Sequence, residues 1–242
     1  MLIMNISYAT ELRIAAASNI SYVMDALKDA YKKQEPETEV RVTIGSSGKL
    51  AAQIKNGAPF GLFMSANMEY PNKLFESKSA LSKPRVYAKG KLLLLSMKER
   101  DFTQNIEAIL QQNTLHKIAI ANPKTAPYGK AAKEALLSLG LYSKLKSKFV
   151  YGESISQTLF FTLHAADIGI VAASALFTPK MQHLHNKKHT LMLPTKLYTP
   201  IEQGVVLLKY AQTQEAAYRR FYNFLFSAKA KEIFRVYGYE TE

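Results

Sequence analysis

The chain has 242 residues and carries 32 lysine and arginine residues against 19 aspartate and glutamate residues, a formal net charge of +13. Its length and its 48% hydrophobic content suffice for one large or two smaller domains with a buried core, which excludes a disordered or low-complexity chain. The absence of cysteine excludes disulfide scaffolds, iron–sulfur clusters, cysteine–zinc sites and thiol nucleophiles. The positive charge indicates an anionic partner without distinguishing nucleic acid, a membrane surface and a small anion.

The first nine residues are mostly apolar, and the sequence becomes polar at Thr10 and Glu11. No apolar run approaches the roughly 18 residues that span a bilayer. Ser7-x-Ala9 fits the small-x-small pattern of a signal-peptidase site, although the charged segment that normally precedes the apolar residues is missing. We therefore interpret residues 1–9 as the remnant of a signal peptide. The alternative is an ordinary terminus that precedes the first strand.

Four short β-like runs are each followed by a turn of small or hydroxyl-bearing residues and then by a pattern typical of an amphipathic helix. The four runs are residues 12–15, 40–44, 118–121 and 148–151. Strands that alternate with helices predict a parallel α/β sheet. In such sheets, ligands bind at the carboxyl ends of the strands, beside the first turns of the helices.

Two extended stretches separate these units. The first, at 86–96, has Gly90 in its middle and is predicted to be a strand that crosses between two lobes, and the second, at 200–208, is predicted to return the chain. The remaining predicted elements are a buried strand within 60–66 and helices at 130–139, 214–226 and 228–237.

Hydroxyl groups accompany the four strand-to-helix turns. The first turn of a helix exposes unpaired N–H groups and carries a partial positive charge, so it attracts anions. Ser18, Ser46, Ser47 and Tyr128 would add hydroxyl donors beside those amides. Each serine alone is more simply explained as the N-cap of its own helix. Four such turns, two early and two late in the chain, predict a shared anion site between two lobes.

An ordered set of short segments runs from about residue 12 to the C-terminus. It comprises Ala15-Ala16-Ala17-Ser18, Gly45-Ser46-Ser47-Gly48, Lys55-Asn56-Gly57-Ala58-Pro59-Phe60 with Phe63-x-Ser65-Ala66, Tyr87-Ala88-Lys89-Gly90-Lys91-Leu92, Ile120-Ala121-Asn122-Pro123-Lys124-Thr125-Ala126-Pro127-Tyr128-Gly129, Gly152-Glu153-Ser154-Ile155-Ser156-Gln157, Gly169-Ile170-Val171-Ala172 and Tyr237-Gly238-Tyr239. At these spacings the set resembles the periplasmic molybdate-binding proteins of bacterial ABC importers.

The resemblance implies an α/β protein with the two-lobed periplasmic-binding-protein fold of type II, in which crossover strands join two α/β lobes and the ligand binds in the cleft. The first lobe is expected at residues 10–88 plus 205–242 and the second at 89–204. The implied function is the capture of molybdate or tungstate in the periplasm and its delivery to an ABC permease in the inner membrane. The implied protein is a monomer that catalyses no reaction, needs no cofactor and binds no nucleic acid.

The resemblance also implies a site in which hydroxyls and backbone amides hold the oxyanion without a charged side chain. Ser18 and Ser47 match the hydroxyls of the first two turns, with Ser46 beside them, while Tyr128 and Ile155 match positions that donate backbone N–H groups. Asn19 is a further candidate donor. No residue is expected to bind a metal cation, because the metal arrives as its oxyanion.

Some members of that family place a ligand-binding tyrosine after the strand Gly169-Ile170-Val171, where this chain has Ala172. The Tyr128 hydroxyl is the candidate replacement. Lys49 and Lys130 resemble phosphate clamps, but we expect both side chains to reach solvent.

Several alternatives remain open from the sequence. Another tetrahedral oxyanion, such as sulfate or chromate, would suit the same donors. A hydrolytic enzyme would need a serine paired with His116 or His164, and the sequence has no G-x-S-x-G, P-loop or H-E-x-x-H pattern. His183, His185 and His189 could bind a metal, although a solvated basic loop explains them better. Nucleic-acid binding would rest on lysines that are scattered rather than clustered.

Overall fold

The computed structural model describes residues 10–242, so the predicted signal-peptide remnant at 1–9 lies outside the described residues. The described residues form two five-stranded sheets. The strands are β1 (Thr10–Ala17), β2 (Thr38–Gly45), β3 (Leu62–Ser65), β4 (Arg85–Gly90), β5 (Leu92–Leu95), β6 (Ile118–Ala121), β7 (Phe149–Gly152), β8 (Ile168–Ala172), β9 (Thr190–Met192) and β10 (Ile201–Leu207).

Helices connect most of these strands. They are α1 (Ser21–Lys32), α2 (Ser47–Lys55), α3 (Glu69–Glu76), α4 (Ile106–Leu110), α5 (Pro127–Ser138), α6 (Tyr142–Leu145), α7 (Ile155–His164), α8 (Glu215–Phe224) and α9 (Ala228–Val236). Short 3-10 turns at Ser18–Ile20 and Ala173–Phe177 follow β1 and β8. None of the helices within residues 10–242 is long and apolar enough to cross a membrane.

The two sheets have the same design. The first has the strand order β2-β1-β3-β10-β4 and the second the order β7-β6-β8-β5-β9. In each, the first three strands are parallel and the fourth is antiparallel to both neighbours. The four strands predicted from the strand-to-helix units, β1, β2, β6 and β7, are parallel as expected, whereas β5 and β10 make each sheet mixed. The antiparallel strands are the ones that carry the chain between the sheets or pair with those that do.

Alternate side chains of each strand fill hydrophobic cores on opposite faces of the sheet, as the two-residue period of a strand requires. In β1, Leu12 and Ile14 pack towards α1, α8 and α9, whereas Ala15 packs towards Leu50 and Ile54 of α2. The second sheet is covered in the same way by α5 on one face and α7 on the other. Each sheet with its helices forms an α/β lobe, which we call the first and the second lobe.

Two chain segments cross between the lobes. The predicted run at 86–96 divides after Gly90, so that β4 belongs to the first sheet and β5 to the second. β10 returns the chain, and its Ile201 pairs with Gly90. These two adjacent crossovers place the carboxyl ends of the parallel strands of both sheets at a common cleft.

Helix α5 begins at Pro127, three residues before the predicted start at 130. Proline is favoured in the first turn of a helix because it lacks an N–H group that would have no partner there. The earlier start places Tyr128 inside the first turn of α5, which is the part of the helix that faces the other lobe.

Candidate functional site

A cavity of about 10 Å³ lies between the lobes at the first turns of four helices. All six predicted ligand residues line it, and contact of these residues with an anion stays a prediction. The lining residues are Ala17, Ser18, Asn19, Gly45, Ser46, Ser47, Ala66, Ala126, Pro127, Tyr128 and Ile155. None of these side chains is a lysine, arginine, histidine, aspartate or glutamate.

Ser18 begins the 3-10 turn after β1 and is buried. Its backbone carbonyl accepts hydrogen bonds from the Ser21 hydroxyl at 2.8 Å and from the Ser156 hydroxyl of the second lobe at 2.9 Å. Its own hydroxyl oxygen is the acceptor in a long contact of 3.5 Å with the Ser156 N–H. The hydroxyl proton of Ser18 is therefore free to serve a ligand.

Asn19 is fully buried, and its side-chain nitrogen is already engaged, whereas its Oδ1 atom has no hydrogen-bond partner within residues 10–242. The Nδ2 group donates to the Gln203 Oε1 atom at 2.9 Å and to the Tyr239 hydroxyl at 2.8 Å. Because an amide nitrogen has only two protons, no side-chain donor of Asn19 is left for an anion. Its backbone N–H is the group that remains available for the predicted contact.

The two serines at the start of α2 differ in their bonding. Ser46 has the extended backbone of an N-cap, but its hydroxyl caps nothing. That oxygen is buried without a hydrogen-bond partner anywhere in residues 10–242. Ser47 is fully buried, and its hydroxyl accepts from the Ala66 N–H at 3.0 Å while its proton stays available. A buried polar atom without a partner calls for a ligand or a water, so Ser46 marks the site most directly.

The other two turns belong to the second lobe. Tyr128 and Ile155 lie in the first turns of α5 and α7, where N–H groups have no acceptor within the helix. In α7 the N-cap function falls to Ser154, whose hydroxyl accepts from the Gln157 N–H at 3.2 Å. The backbone of Ile155 is thus free to serve a ligand, while the serine before it completes the helix.

The Tyr128 hydroxyl lies beside Gly90 at the crossover and has no hydrogen-bond partner within residues 10–242. A Cβ atom on Gly90 would lie 2.1 Å from the Tyr128 hydroxyl and 3.1 Å from Gln203 Nε2. Burial raises the pKa of Tyr128 well above its usual value, so the phenol stays neutral. A buried hydroxyl without a partner suits a ligand role, so the Tyr128 hydroxyl stays a predicted replacement for a ligand tyrosine, although Gly90 does not line the cavity. Ala172, the residue at that family position, ends β8 and does not line the cavity either.

Lys49 and Lys130 form ion pairs across the cleft. The Lys49 ammonium lies 2.5 Å from the Glu153 carboxylate, and the Lys130 ammonium lies 3.4 Å from the Glu69 carboxylate. A hydrogen bond from Lys73 holds the pKa of Glu69 below its usual value, so this carboxylate stays charged. Both lysines are about half exposed, at 49% and 58%. They join the outer edges of the lobes and do not line the cavity.

A backbone contact closes the cleft beside the cavity. The Gly48 N–H of α2 donates to the Thr125 carbonyl of the second lobe at 2.9 Å. A Cβ atom on Gly48 would lie 2.7 Å from the Tyr70 hydroxyl and 2.9 Å from that carbonyl oxygen. Only glycine permits this approach. This contact was not predicted from the sequence, although Gly48 and Thr125 both lie in segments that carry the resemblance.

The histidines lie away from the cavity. His189 Nδ1 lies 3.0 Å from the Ser96 carbonyl, His185 packs against Phe177 and His164 packs against Phe160. Within residues 10–242 no group of three or more histidine, aspartate or glutamate side chains is arranged to hold a metal ion. The metal interpretation of His183, His185 and His189 thus gains no support from the geometry.

A larger groove of about 880 Å³ lies between α1 and β2. Its lining mixes four carboxylates with the cationic side chains of Lys28, Lys32 and Arg41, so it is not a set of neutral donors free of acidic groups. The small interlobe cavity, with its many donors and no carboxylate, is therefore the candidate anion site.

Together, the two lobes, the paired crossovers and the donor groups on both sides of a small cavity define a binding protein of the two-lobed periplasmic fold. The model of the bacterial extracellular solute-binding protein family matches residues 12–240. The chain belongs to this family, as the resemblance predicted.

Relatives from several bacteria are named molybdate-binding protein ModA. That of Azotobacter vinelandii is 35% identical over 233 residues, which is 96% of this chain and 90% of the relative. That of Rhodobacter capsulatus is 36% identical over 236 residues, which is 97% of this chain and 90% of the relative.

Solved structures agree with the fold. The Azotobacter vinelandii periplasmic molybdate-binding protein aligns with a TM-score of 0.88 at 33% identity, over 96% of this chain and 99% of that one. The sulfate-binding protein SubI from Mycobacterium tuberculosis aligns with a TM-score of 0.78 at 12% identity, over 96% of this chain and 87% of that one. The second match shows the shared fold alone.

Proposed function

We propose that this protein captures molybdate or tungstate between its lobes and delivers the anion to the permease of an ABC importer. The Azotobacter and Rhodobacter relatives named molybdate-binding protein support this proposal, since each aligns with nearly the whole chain. The observation that carries it is the buried Ser46 hydroxyl, which lacks a partner within residues 10–242 and lines a cavity between the first turns of helices from both lobes.

Neutral donors suit a fully deprotonated tetrahedral oxyanion. Preorganised N–H and hydroxyl groups replace the hydration that a buried dianion loses. A protonated anion such as phosphate would need an acceptor for its own proton, and the lining has no carboxylate to provide one. The cavity is about as small as a site for one water molecule, so the proposal requires the lobes to separate before an anion with four oxygen atoms can enter.

The proposed ligands divide into two groups. The hydroxyls of Ser18, Ser46 and Ser47 donate from the first lobe, and the backbone N–H groups of Tyr128 and Ile155 donate from the second. The backbone N–H of Asn19 is a further proposed donor, because its side-chain nitrogen is engaged elsewhere. An anion held by both groups at once would stabilise the closed arrangement of the lobes.

The remaining parts of the proposal follow from the family. The protein would act in the periplasm as a monomer, catalyse no reaction and bind no nucleic acid, and the oxyanion is its cargo rather than a cofactor. The lobes would comprise residues 10–88 plus 205–242 and residues 89–204. These limits lie within a few residues of the change of sheet after Gly90 and of the start of β10.

Thermal unfolding with a panel of anions tests the proposal. Molybdate, tungstate, sulfate, chromate and phosphate are each added to the protein, with chloride as the control for ionic strength. A ligand present at about 1,000 times its Kd adds roughly 4 kcal/mol to the free energy of unfolding, a clear rise in Tm. We expect this rise with molybdate and tungstate. A larger rise with sulfate or chromate would reassign the cargo, and no rise with any oxyanion would contradict the proposed function.

A further inference from the structure

Four buried polar residues form a hydrogen-bonded group where the lobes meet the crossovers, and we call them the interlobe polar cluster. Asn19 follows β1 of the first lobe, Gln203 lies in β10, Tyr239 follows α9, and Ser174 follows β8 of the second lobe. Each is at most 3% exposed. The cluster therefore joins both lobes, one crossover and the C-terminal segment away from water.

The amide of Asn19 is oriented by Gln203. The Nε2 group of Gln203 donates to the Ile201 carbonyl at 3.1 Å, so its Oε1 atom is left as the acceptor for the Asn19 amide. The second proton of Asn19 Nδ2 goes to the Tyr239 hydroxyl. These two bonds fix the turn that also contains Ser18, the first of the proposed anion donors.

The Tyr239 hydroxyl connects this turn to the second lobe. Its oxygen lies 3.0 Å from the Asn19 carbonyl and 3.2 Å from the Ser174 hydroxyl. The phenol has one proton, so it donates to the Asn19 carbonyl while the Ser174 hydroxyl donates to it. Burial raises the pKa of Tyr239 above its usual value, which keeps this proton in place.

The C-terminal segment is held in position independently of these bonds. Gly238 turns the chain with a φ of +78°, which favours glycine. Glu240 then pairs through its backbone with Lys89 of β4, and its carboxylate lies 2.6 Å from the Lys91 ammonium at the crossover. Tyr239 is thus presented to the cluster by a segment that is anchored to the crossover itself.

We propose that the Tyr239 hydroxyl is a positioning group that couples closure of the lobes to the placement of the Ser18–Asn19 turn. Opening of the cleft would separate Tyr239 from Ser174 and leave buried polar groups without partners, which is unfavourable. Closure completes the cluster and holds the turn in its donor geometry. The inference rests on the proposed function, because it describes how the same anion site is assembled.

The test compares Tyr239→Phe with a matched control, Tyr87→Phe. Tyr87 is also a buried tyrosine packed against Phe234, with ring centroids 5.2 Å apart against 5.9 Å for Tyr239. Its hydroxyl has no hydrogen-bond partner in the described part of the chain. Both variants remove one buried hydroxyl from the same core, but only Tyr239→Phe breaks the cluster.

Stopped-flow measurement of molybdate binding and release gives the first readout. The cluster bonds are complete only in the closed form, which must open before the anion leaves, so Tyr239→Phe should raise the release rate by about tenfold and leave the association rate within about twofold. Ser174→Ala should give the same pattern, and Tyr87→Phe should match the wild-type protein. Equal release rates in wild-type, Tyr239→Phe and Ser174→Ala proteins would overturn the inference. So would a matching increase in Tyr87→Phe.

A distance measurement separates this inference from the proposed function. The chain has no cysteine, so spin labels attached at Lys55→Cys in the first lobe and Lys146→Cys in the second report the opening of the cleft. Without any anion, Tyr239→Phe should shift the distance distribution towards the open form, and Tyr87→Phe should not. If the wild-type protein binds none of the oxyanions, the proposed function fails and this comparison still decides the role of Tyr239. Identical distributions in the three proteins would contradict that role.

Discussion

The hydroxyl of Ser156, in the first turn of α7, donates to the backbone carbonyl of Ser18 at 2.9 Å. This bond joins the first of the four proposed anion-binding turns, in the first lobe, to the fourth, in the second lobe. Ser154, directly before Ile155, caps α7, and Ser156, directly after Ile155, bridges the lobes. The geometry therefore gives neighbouring serines different roles that a substitution can separate.

Ser46→Ala should weaken molybdate binding by about 1–3 kcal/mol, because an oxyanion lone pair loses its donor. The free energy of unfolding without ligand should hardly change, since the Ser46 hydroxyl neither caps α2 nor has another partner within residues 10–242. Ser154→Ala is the matched control, because this serine does cap its helix. Loss of the Ser154 hydroxyl should lower the free energy of unfolding by about 1 kcal/mol and leave the affinity for molybdate nearly unchanged. Calorimetric titration and urea unfolding of both variants measure the two effects, and the reverse pattern would remove Ser46 from the site.

Gly48→Ala should raise the stability of the ligand-free protein and lower its affinity for molybdate. Alanine is favoured over glycine within a helix by about 0.5–1 kcal/mol. In the closed arrangement, however, the added Cβ would meet the Tyr70 hydroxyl and the Thr125 carbonyl. Ala52→Ser, on the exposed face of α2, serves as the control. An unchanged affinity in Gly48→Ala would show that the lobes do not close this tightly on the anion.

Lys49→Gln and Lys130→Gln should each reduce tungstate affinity by less than about fivefold, since exposed ion pairs contribute at most about 1 kcal/mol. Lys55→Gln, which removes the same charge at the far end of α2, is the control for both variants.

For the wild-type protein, the affinity for tungstate should change by less than about tenfold between 50 and 200 mM NaCl, because mobile ions do not screen contacts inside a closed cleft. Calorimetric titration with tungstate at both salt concentrations measures this. A steep salt dependence would place the anion on the exposed lysines.

Alkaline pH should destabilise the protein through its buried tyrosines. Burial raises the pKa of Tyr31 to about 12 and that of Tyr87 well above its usual value, whereas in the unfolded chain both ionise near pH 10. The folded state therefore binds more protons above about pH 10, and stability is lost as the pH rises towards the folded pKa values. The Tm should fall between pH 10 and pH 12, and less so in Tyr31→Phe. A Tm that stays constant over this range would contradict the burial of these phenols.

The local parts of the site could be predicted from the sequence. The end of a strand and the first turn of the helix that follows it are determined by nearby residues. Clear apolar patterns mark the strands that precede Ser46, Ser47 and Ile155, so these positions could be predicted. The two-lobed fold could be predicted because the ordered segments that carry the resemblance extend over nearly the whole chain. The structure confirms this prediction. The start of α5 was predicted too late, since Pro127 is equally compatible with a turn and with the first turn of a helix.

The bonds between distant residues could not be predicted. Asn19 contacts Gln203, 184 positions away, and Tyr239, 220 positions away. Only the folded chain shows that these bonds engage the Asn19 amide. Ser46 and Ser154 illustrate the same limit, because both precede helices in the sequence and only one caps its helix. Tertiary contacts decide which hydroxyl remains for a ligand.

Diffraction from crystals grown with molybdate, recorded at the molybdenum absorption edge, tests the central claim most directly. Anomalous scattering locates the metal without reference to the protein coordinates. The account predicts one strong peak in the interlobe cavity, within hydrogen-bonding reach (through its oxygen atoms) of the Ser46 hydroxyl and the Ile155 N–H. A peak at the Lys49–Glu153 edge, or no peak between the lobes, would contradict it.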